Sequence, residues 1–336
     1  MRGEAGGGEG AWTGTAGVSG SRLRSELLAV ARARAGEVRA ADVVGQWRRD
    51  RFVRPSTADP RSVWRVETRL WELLPQDVHG VELSPVVPLG TCGAVAPVSQ
   101  NRIVTTMRLT EVLSDATNAL AVEAAVRRRD GWTGPLHLAA CHRHLRAQDF
   151  GGAPAHFRLF ALVSSMRDTG SARSQAALLT RHMTYWLTVL ADLIPTAAPQ
   201  LRWSTVGSGP SAAAVRERIL DTVLPQLPQR SGASTPPQRP ETPGGLEDGD
   251  GSGGGSGPFV AVVEDPQRER GIGYYQDAAL RMTARSGDAA LELGDGGLTT
   301  WTASLTGDAK ERCLVSCIAT ERLTELATHM TPRSQQ

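Results

Sequence analysis

Two strand-like runs, "GPLHLAACHRHLRAQ" and "AHFRLFALV", follow one another across a loop and together span roughly residues 135–166. Side chains alternate along a strand, so Arg143 and Leu145 share one face of the first run while His142, His144 and Arg146 share the other. Two such runs joined by a loop too short for a crossover helix pair as an antiparallel hairpin. Further strand signals gather later in the chain, in "LRWSTV", "FVAVVED", "YYQDAALRMTA", "AALELGD" and "RCLVSCIA". Strict strand–helix alternation is missing, which disfavours a doubly wound sheet. The expected class is α+β, with a mixed, mainly antiparallel sheet flanked by helices.

Composition bounds the rest. The chain has 336 residues, 40% of them hydrophobic, enough for a sizeable core. A net charge of +2 argues against a general nucleic-acid coat. No apolar run reaches the length of a membrane span, so no membrane partner is expected. The first residues, "MRGEAGGGEG", lack a signal-peptide core, and the expected compartment is the cytoplasm. The four cysteines, Cys92, Cys141, Cys313 and Cys317, form no CxxC pair, so they read as small buried thiols rather than zinc ligands. His142, His144 and His156 offer no specific ligand spacing, and no metal site is expected.

Organisation follows from pattern. Residues 1–20 are Gly-rich and read as disordered; residues 21–57 carry two amphipathic helical patterns. In "STADPRSVWRVETRLWELLP", Asp59 is an N-cap and Pro60 the first helical residue. Val63, Trp64, Leu70, Trp71 and Leu74 make its apolar stripe. "VHGVELSPVVPL" and "NRIVTTMRLTEVL" read as strands, and "TNALAVEAAVRRR" as a helix capped by Thr or Asn. "ARSQAALLTRHMTYWLTVLADLI" is a long helix and "AAAVRERILDTVLPQL" another. Residues 228–257 hold almost nothing that can be buried and read as a flexible insert. The core is placed at residues 58–330, with a tail at 331–336.

The order of these pieces resembles the catalytic core of class II aminoacyl-tRNA synthetases, closest to the histidyl branch, which includes the regulatory subunit of ATP phosphoribosyltransferase. The helix leading to "VELSP", ending at Pro85, resembles the first class II motif, which builds the family's dimer interface. "HRHLRAQ" and "FRLF" (Arg158 to Phe160) resemble the second motif hairpin. "RGIGYY", Arg270 to Tyr275, resembles the histidyl signature "RGLDYY", and "GGLTTW" resembles "GGRYD". "SCIATERL", with Arg322, resembles the third motif. Counting without a gap from Met107 sets Glu123 where histidyl enzymes hold the substrate ammonium.

The resemblance implies a role for each of these residues. Amino-acid activation builds negative charge on phosphate oxygens, and arginine supplies a fixed fork of donors. Arg143 and Arg270 would act at the α-phosphate; Arg158 would add a phosphate contact; Phe160 would stack on adenine; Arg322 would lie near the γ-phosphate. Glu123, Tyr274 and Tyr275 would line the amino-acid pocket. ATP with Mg2+ is the implied cofactor, and a homodimer the implied assembly. Read from the residues alone, Arg143 and Arg158 serve equally well as partners for surface acids. Arg322 then caps a sheet-to-helix junction, and one of the two tyrosines is plain core.

Several positions depart from the family pattern. Leu145 stands where the second motif has Glu, Cys317 and Ala319 replace two glycines of the third, Gly273 replaces an Asp, and Leu298 an Arg. The chain also ends soon after the third motif, so an anticodon-reading domain and full tRNA charging are not expected. The leading expectation is a core-only paralogue acting as an amino-acid- or nucleotide-binding regulatory protein with a partner enzyme. The alternative is an adenylate-forming ligase with an acceptor other than a full tRNA.

Overall fold

Asp59 caps a helix as its sequence requires. Its carboxylate accepts from the backbone N–H of Arg61 and Ser62 at 3.3 and 3.1 Å, and Pro60 sits where no N–H is needed. The computed structural model describes residues 17–148, 151, 155–228, 260–269, 271 and 273–330. The Gly-rich start (1–16), most of the expected insert (229–259), Arg270 and the tail (331–336) lie outside the described residues.

Helices α1 (Gly20–Gly36) and α2 (Ala40–Arg49) carry no buried residue. Helix α3 (Pro60–Glu72) buries Val63, Val66, Glu67 and Leu70, whereas Trp64 of the expected stripe is 71% exposed. The expected strand after it is broken into β1 (His79–Gly80) and β2 (Val86–Pro88), and the short helix α4 (Thr91–Val95) follows. "NRIVTTMRLTEVL" is corrected too. It is mostly irregular, with a 3-10 turn at Gln100–Arg102 and a left-handed Leu109, and only β3 (Thr110–Val112) pairs, with β2.

Helix α5 (Ala116–Arg129) is capped by Asp115, not by Thr117 or Asn118. The hairpin is present as β4 (Leu136–Leu145) and β5 (His156–Arg167), with Arg143 paired to Arg158. Next come α6 (Arg173–Leu193), β6 (Gln200–Val206) and α7 (Pro210–Arg218). A π-turn at Ile219–Val223 leads into α8 (Leu224–Gln226). The wide turn precedes Pro225, whose ring would clash with the carbonyl of an ordinary α turn. Strands β7 (Ala261–Glu264), β8 (Gln276–Ser286) and β9 (Ala289–Thr299) follow. Helix α9 (Trp301–Thr306), strand β10 (Glu311–Ala319) and helix α10 (Thr320–Met330) complete the order.

The main sheet has eight strands in the order β1-β4-β5-β10-β9-β8-β6-β7. Its interior pairings are all antiparallel, and only the outermost pairs, β1 with β4 and β6 with β7, are parallel. One face is covered by α6, whose Leu179, Met183, Trp186 and Leu190 pack with Phe160, Leu162, Leu280, Leu314 and Ile318. Each large side chain removed from water there contributes roughly 1.5–3 kcal/mol. The opposite face is covered by the alanine-rich side of α5 and by Trp301, against Leu138, Ala140, Ala161, Val163 and Val315. That second cover stops short of the hairpin end, and a cleft opens there. No helix among the described residues is long and apolar enough to cross a membrane.

Candidate functional site

The cleft, of about 700 Å³, lies where the start of α5, the end of the hairpin, the middle of β9 and β10, and the start of α10 meet. Its depth begins with a cap. Asp115 ends the irregular stretch after β3, and its Oδ1 accepts from the Thr117 N–H and hydroxyl at 2.9 and 2.7 Å. Its other oxygen faces Arg146, whose Nη2 is 3.2 Å away. Arg146 also donates through Nε to the Ser114 carbonyl at 2.9 Å, and its guanidinium lies 4.9 Å from the centre of the Phe157 ring. Strand alternation puts Phe157 and Leu159 on the cleft side of β5.

The segment before α5 is held by one carboxylate. Glu111 is fully buried and accepts from the Gly90 and Cys92 N–H groups, both at 2.8 Å, and from Gln100 at 3.0 Å. These three bonds hold the Glu111 carboxyl below its usual range although burial opposes them. Cys92 in turn contacts Ser114 Oγ at 2.7 Å and Asn118 Nδ2 at 3.5 Å. Asn118 is 2% exposed and lines the cleft, and its Oδ1 has no hydrogen-bond partner.

The floor is Asp295 of β9 beside Cys317 of β10, paired in register. Asp295 has Arg268 Nη2 at 3.5 Å; Arg268 also donates to the Leu280 carbonyl and lies 5.4 Å from the Tyr275 ring centre. Loss of water, with Asp115 and Glu292 nearby, raises the Asp295 carboxyl above its ordinary value, and Arg268 pulls the other way. Burial, with Asp295 and Asp115 nearby, pushes the Cys317 thiol well above its ordinary value. Arg322 stands at the rim and donates to the Glu292 carbonyl at 2.9 Å.

The expected site residues divide into two groups. Arg322, Tyr274 and Tyr275 line the cleft together. Arg143 and Arg158 line a different cavity, of about 690 Å³, with Trp64 and Trp71. Arg143 donates to Glu321 at 2.9 Å and meets His156 Nδ1 at 2.8 Å. Arg158 grips Glu67 with two bonds of 2.5 and 2.7 Å. Phe160 is fully buried between Trp71 and Tyr185, at ring separations of 4.9 and 6.2 Å, with no face open for a base. Glu123 lies within α5, paired to Arg127 at 2.8 Å, and does not line the cleft. None of these four residues lines the larger cleft. Arg270 lies outside the described residues.

Sequence reasoning missed Arg146, Phe157 and Asp115. The signal for Asp115 is present: an acidic residue three positions after β3 caps a helix, eight positions before Glu123. For Arg146, the opposite-face parity with Arg143 was legible, but nothing marked which face was open.

Formal charges along the cleft alternate. Arg102, Arg146 and Arg322 line it with Asp115, Glu292, Asp295, Glu321 and Glu325. Arg143 stands behind Glu321 and Arg268 behind Asp295, so the described residues of the group balance near neutrality. The side chains of Cys317 and Ala319 further occupy the floor.

No protein-family model matches the chain, and no curated protein matches its sequence. Solved structures do match its fold. Histidyl-tRNA synthetase from Nostoc sp. PCC 7120 superposes with a TM-score of 0.56 at 12% identity, covering 83% of this chain and 74% of that one. Apo S. aureus histidyl-tRNA synthetase gives 0.55 at 13% identity, covering 81% and 68%. An ATP phosphoribosyltransferase regulatory subunit/histidyl-tRNA synthetase from Bacillus halodurans C gives 0.53 at 12% identity, covering 81% and 82%. The chain therefore has a class II aminoacyl-tRNA synthetase-like fold.

Proposed function

We propose that this chain is a small-molecule-binding, regulatory member of the class II synthetase-like fold, whose cleft holds an amino acid and conveys its presence to a partner. The observation that carries this reading is the Arg146–Asp115 pair at the cleft wall. An opposed cation and carboxylate in a site of balanced charge complement the carboxylate and ammonium of a zwitterion. A ligand that binds one state of the protein better than another shifts a partner's equilibrium by that difference. Exposed Trp64 and Trp71 on α3 support a homodimer through that helix. Titration calorimetry over the standard amino acids and ATP tests the reading: heat with an amino acid and none with ATP is expected, and silence with every amino acid overturns it.

A second reading is an adenylate-forming ligase. The Arg146 guanidinium over the Phe157 ring favours it, because a cation beside an aromatic plane suits a nucleotide. Exchange of labelled pyrophosphate into ATP with any amino acid decides for it.

A further inference from the structure

The cleft contains a carboxylate and an acceptor that a simple zwitterion leaves unused. Asp115 and Asn118 stand one turn apart on α5 and both line the cleft. Asn118 Oδ1 is buried without a partner, and a buried acceptor left unmade costs free energy that a ligand donor removes. Across the floor, Asp295 interacts with the Tyr275 hydroxyl and with Arg268. Arg268 Nη2 stands 3.5 Å from its carboxylate, the outer limit of a hydrogen bond, while Arg268 Nη1 donates to the Leu280 carbonyl. About a third of the Asp295 side chain, 36%, stays open, and the open part faces the cleft. Arg146 already serves Asp115. What the described residues leave open is therefore an acceptor at Asn118 and part of a carboxylate at Asp295.

We infer that the cleft ligand carries two protonated nitrogens, one held at Asp115 and Asn118 and the second at Asp295. This rests on the amino-acid reading above and narrows it to a ligand with a cationic end beyond the ammonium. Two sources share that chemistry, a basic amino acid and a diamine. Arg146 separates them, because it meets the carboxylate of the first and nothing in the second.

The test is calorimetry on the full chain with lysine, norleucine and 1,5-diaminopentane. Lysine and norleucine differ in the terminal charged nitrogen, so their ratio reads Asp295 without any variant. Lysine is expected to bind roughly ten- to a hundredfold tighter than norleucine, the range for one charge-assisted bond. In Asp295→Asn that ratio is expected to fall towards one. Diaminopentane binding as tightly as lysine assigns the diamine, and weaker binding assigns the amino acid. Norleucine binding as tightly as lysine overturns the inference and leaves the amino-acid reading in place. Binding by none of the three, and by no other amino acid, removes both. If Asp295→Asn does not fold, the lysine-to-norleucine ratio in the unaltered protein still decides.

Discussion

Arg158 and Glu67 meet fork to fork, Nε to Oε1 at 2.5 Å and Nη2 to Oε2 at 2.7 Å, and so fasten α3 to the hairpin. Thr320 adds a third bond to the same carboxylate at 3.1 Å, bringing in the start of α10. Three elements distant in sequence thus share one buried anion. Breaking one partner of such a pair leaves the other charge stranded. Glu67→Ala is expected to cost about 3 kcal/mol, the low end of the usual range because Arg158 keeps 29% exposure. Urea unfolding measures it, and a loss below about 1 kcal/mol would show the pair to be worth no more than a surface bridge.

The hairpin's two arginines are expected to separate cleanly in function. Arg146→Ala should weaken binding of the cleft ligand by roughly tenfold or more, through loss of a charge-assisted contact. Arg143→Ala should lower stability, since it removes the cation facing Glu321 and the contact to His156 Nδ1, and leave ligand affinity within about twofold. Calorimetry on the two variants side by side checks this; the reverse pattern would return the phosphate role to Arg143.

Acid should destabilise the fold earlier than carboxylates alone would dictate. His137, Ser164, His182 and Ser316 form a buried chain with contacts of 2.7–2.8 Å. Loss of water lowers His137 to about 4 and His182 to about 3, from 6.5. Between pH 6.5 and 4 the unfolded chain takes up protons on both groups and the native state does not. Stability is therefore complete above about pH 6.5 and is lost as pH falls, by about 1.4 kcal/mol per unit for each histidine. Denaturant midpoints from pH 7 to 4.5 should show this slope, and His182→Gln should flatten it.

Trp64 tests the assembly. It is 71% exposed on α3 and packs into neither core cluster. Trp64→Glu is expected to leave the melting temperature of the monomer unit within a degree or two, being a surface change. Sedimentation should report a shift from dimer to monomer. An unaltered sedimentation coefficient would remove α3 as the contact.

Local rules carried far in this chain. The Asp59–Pro60 start, the long apolar periodicity of α6 and the paired runs of β4 and β5 each express their structure within a few residues. The antiparallel sheet then followed from the absence of alternating crossover units, and the motif order pointed to the fold that the solved structures share. Glu123 was placed by a gapless count across Thr105–Thr110, a turn rather than a strand, with Leu109 left-handed; it lies within α5, and Asp115 at the start of that helix lines the cleft.

Alternation alone established that Arg143 and Arg146 lie on opposite faces of one strand. Which face is open was decided by elements far away in sequence: α3 brings Glu67 to Arg158, α6 and Trp71 close over Phe160, and the start of α5 lines the same cleft as Phe157. A strand with arginine and apolar residues on both sides carries no local label for its covered face, because burial is a property of the neighbours that arrive and not of the strand itself.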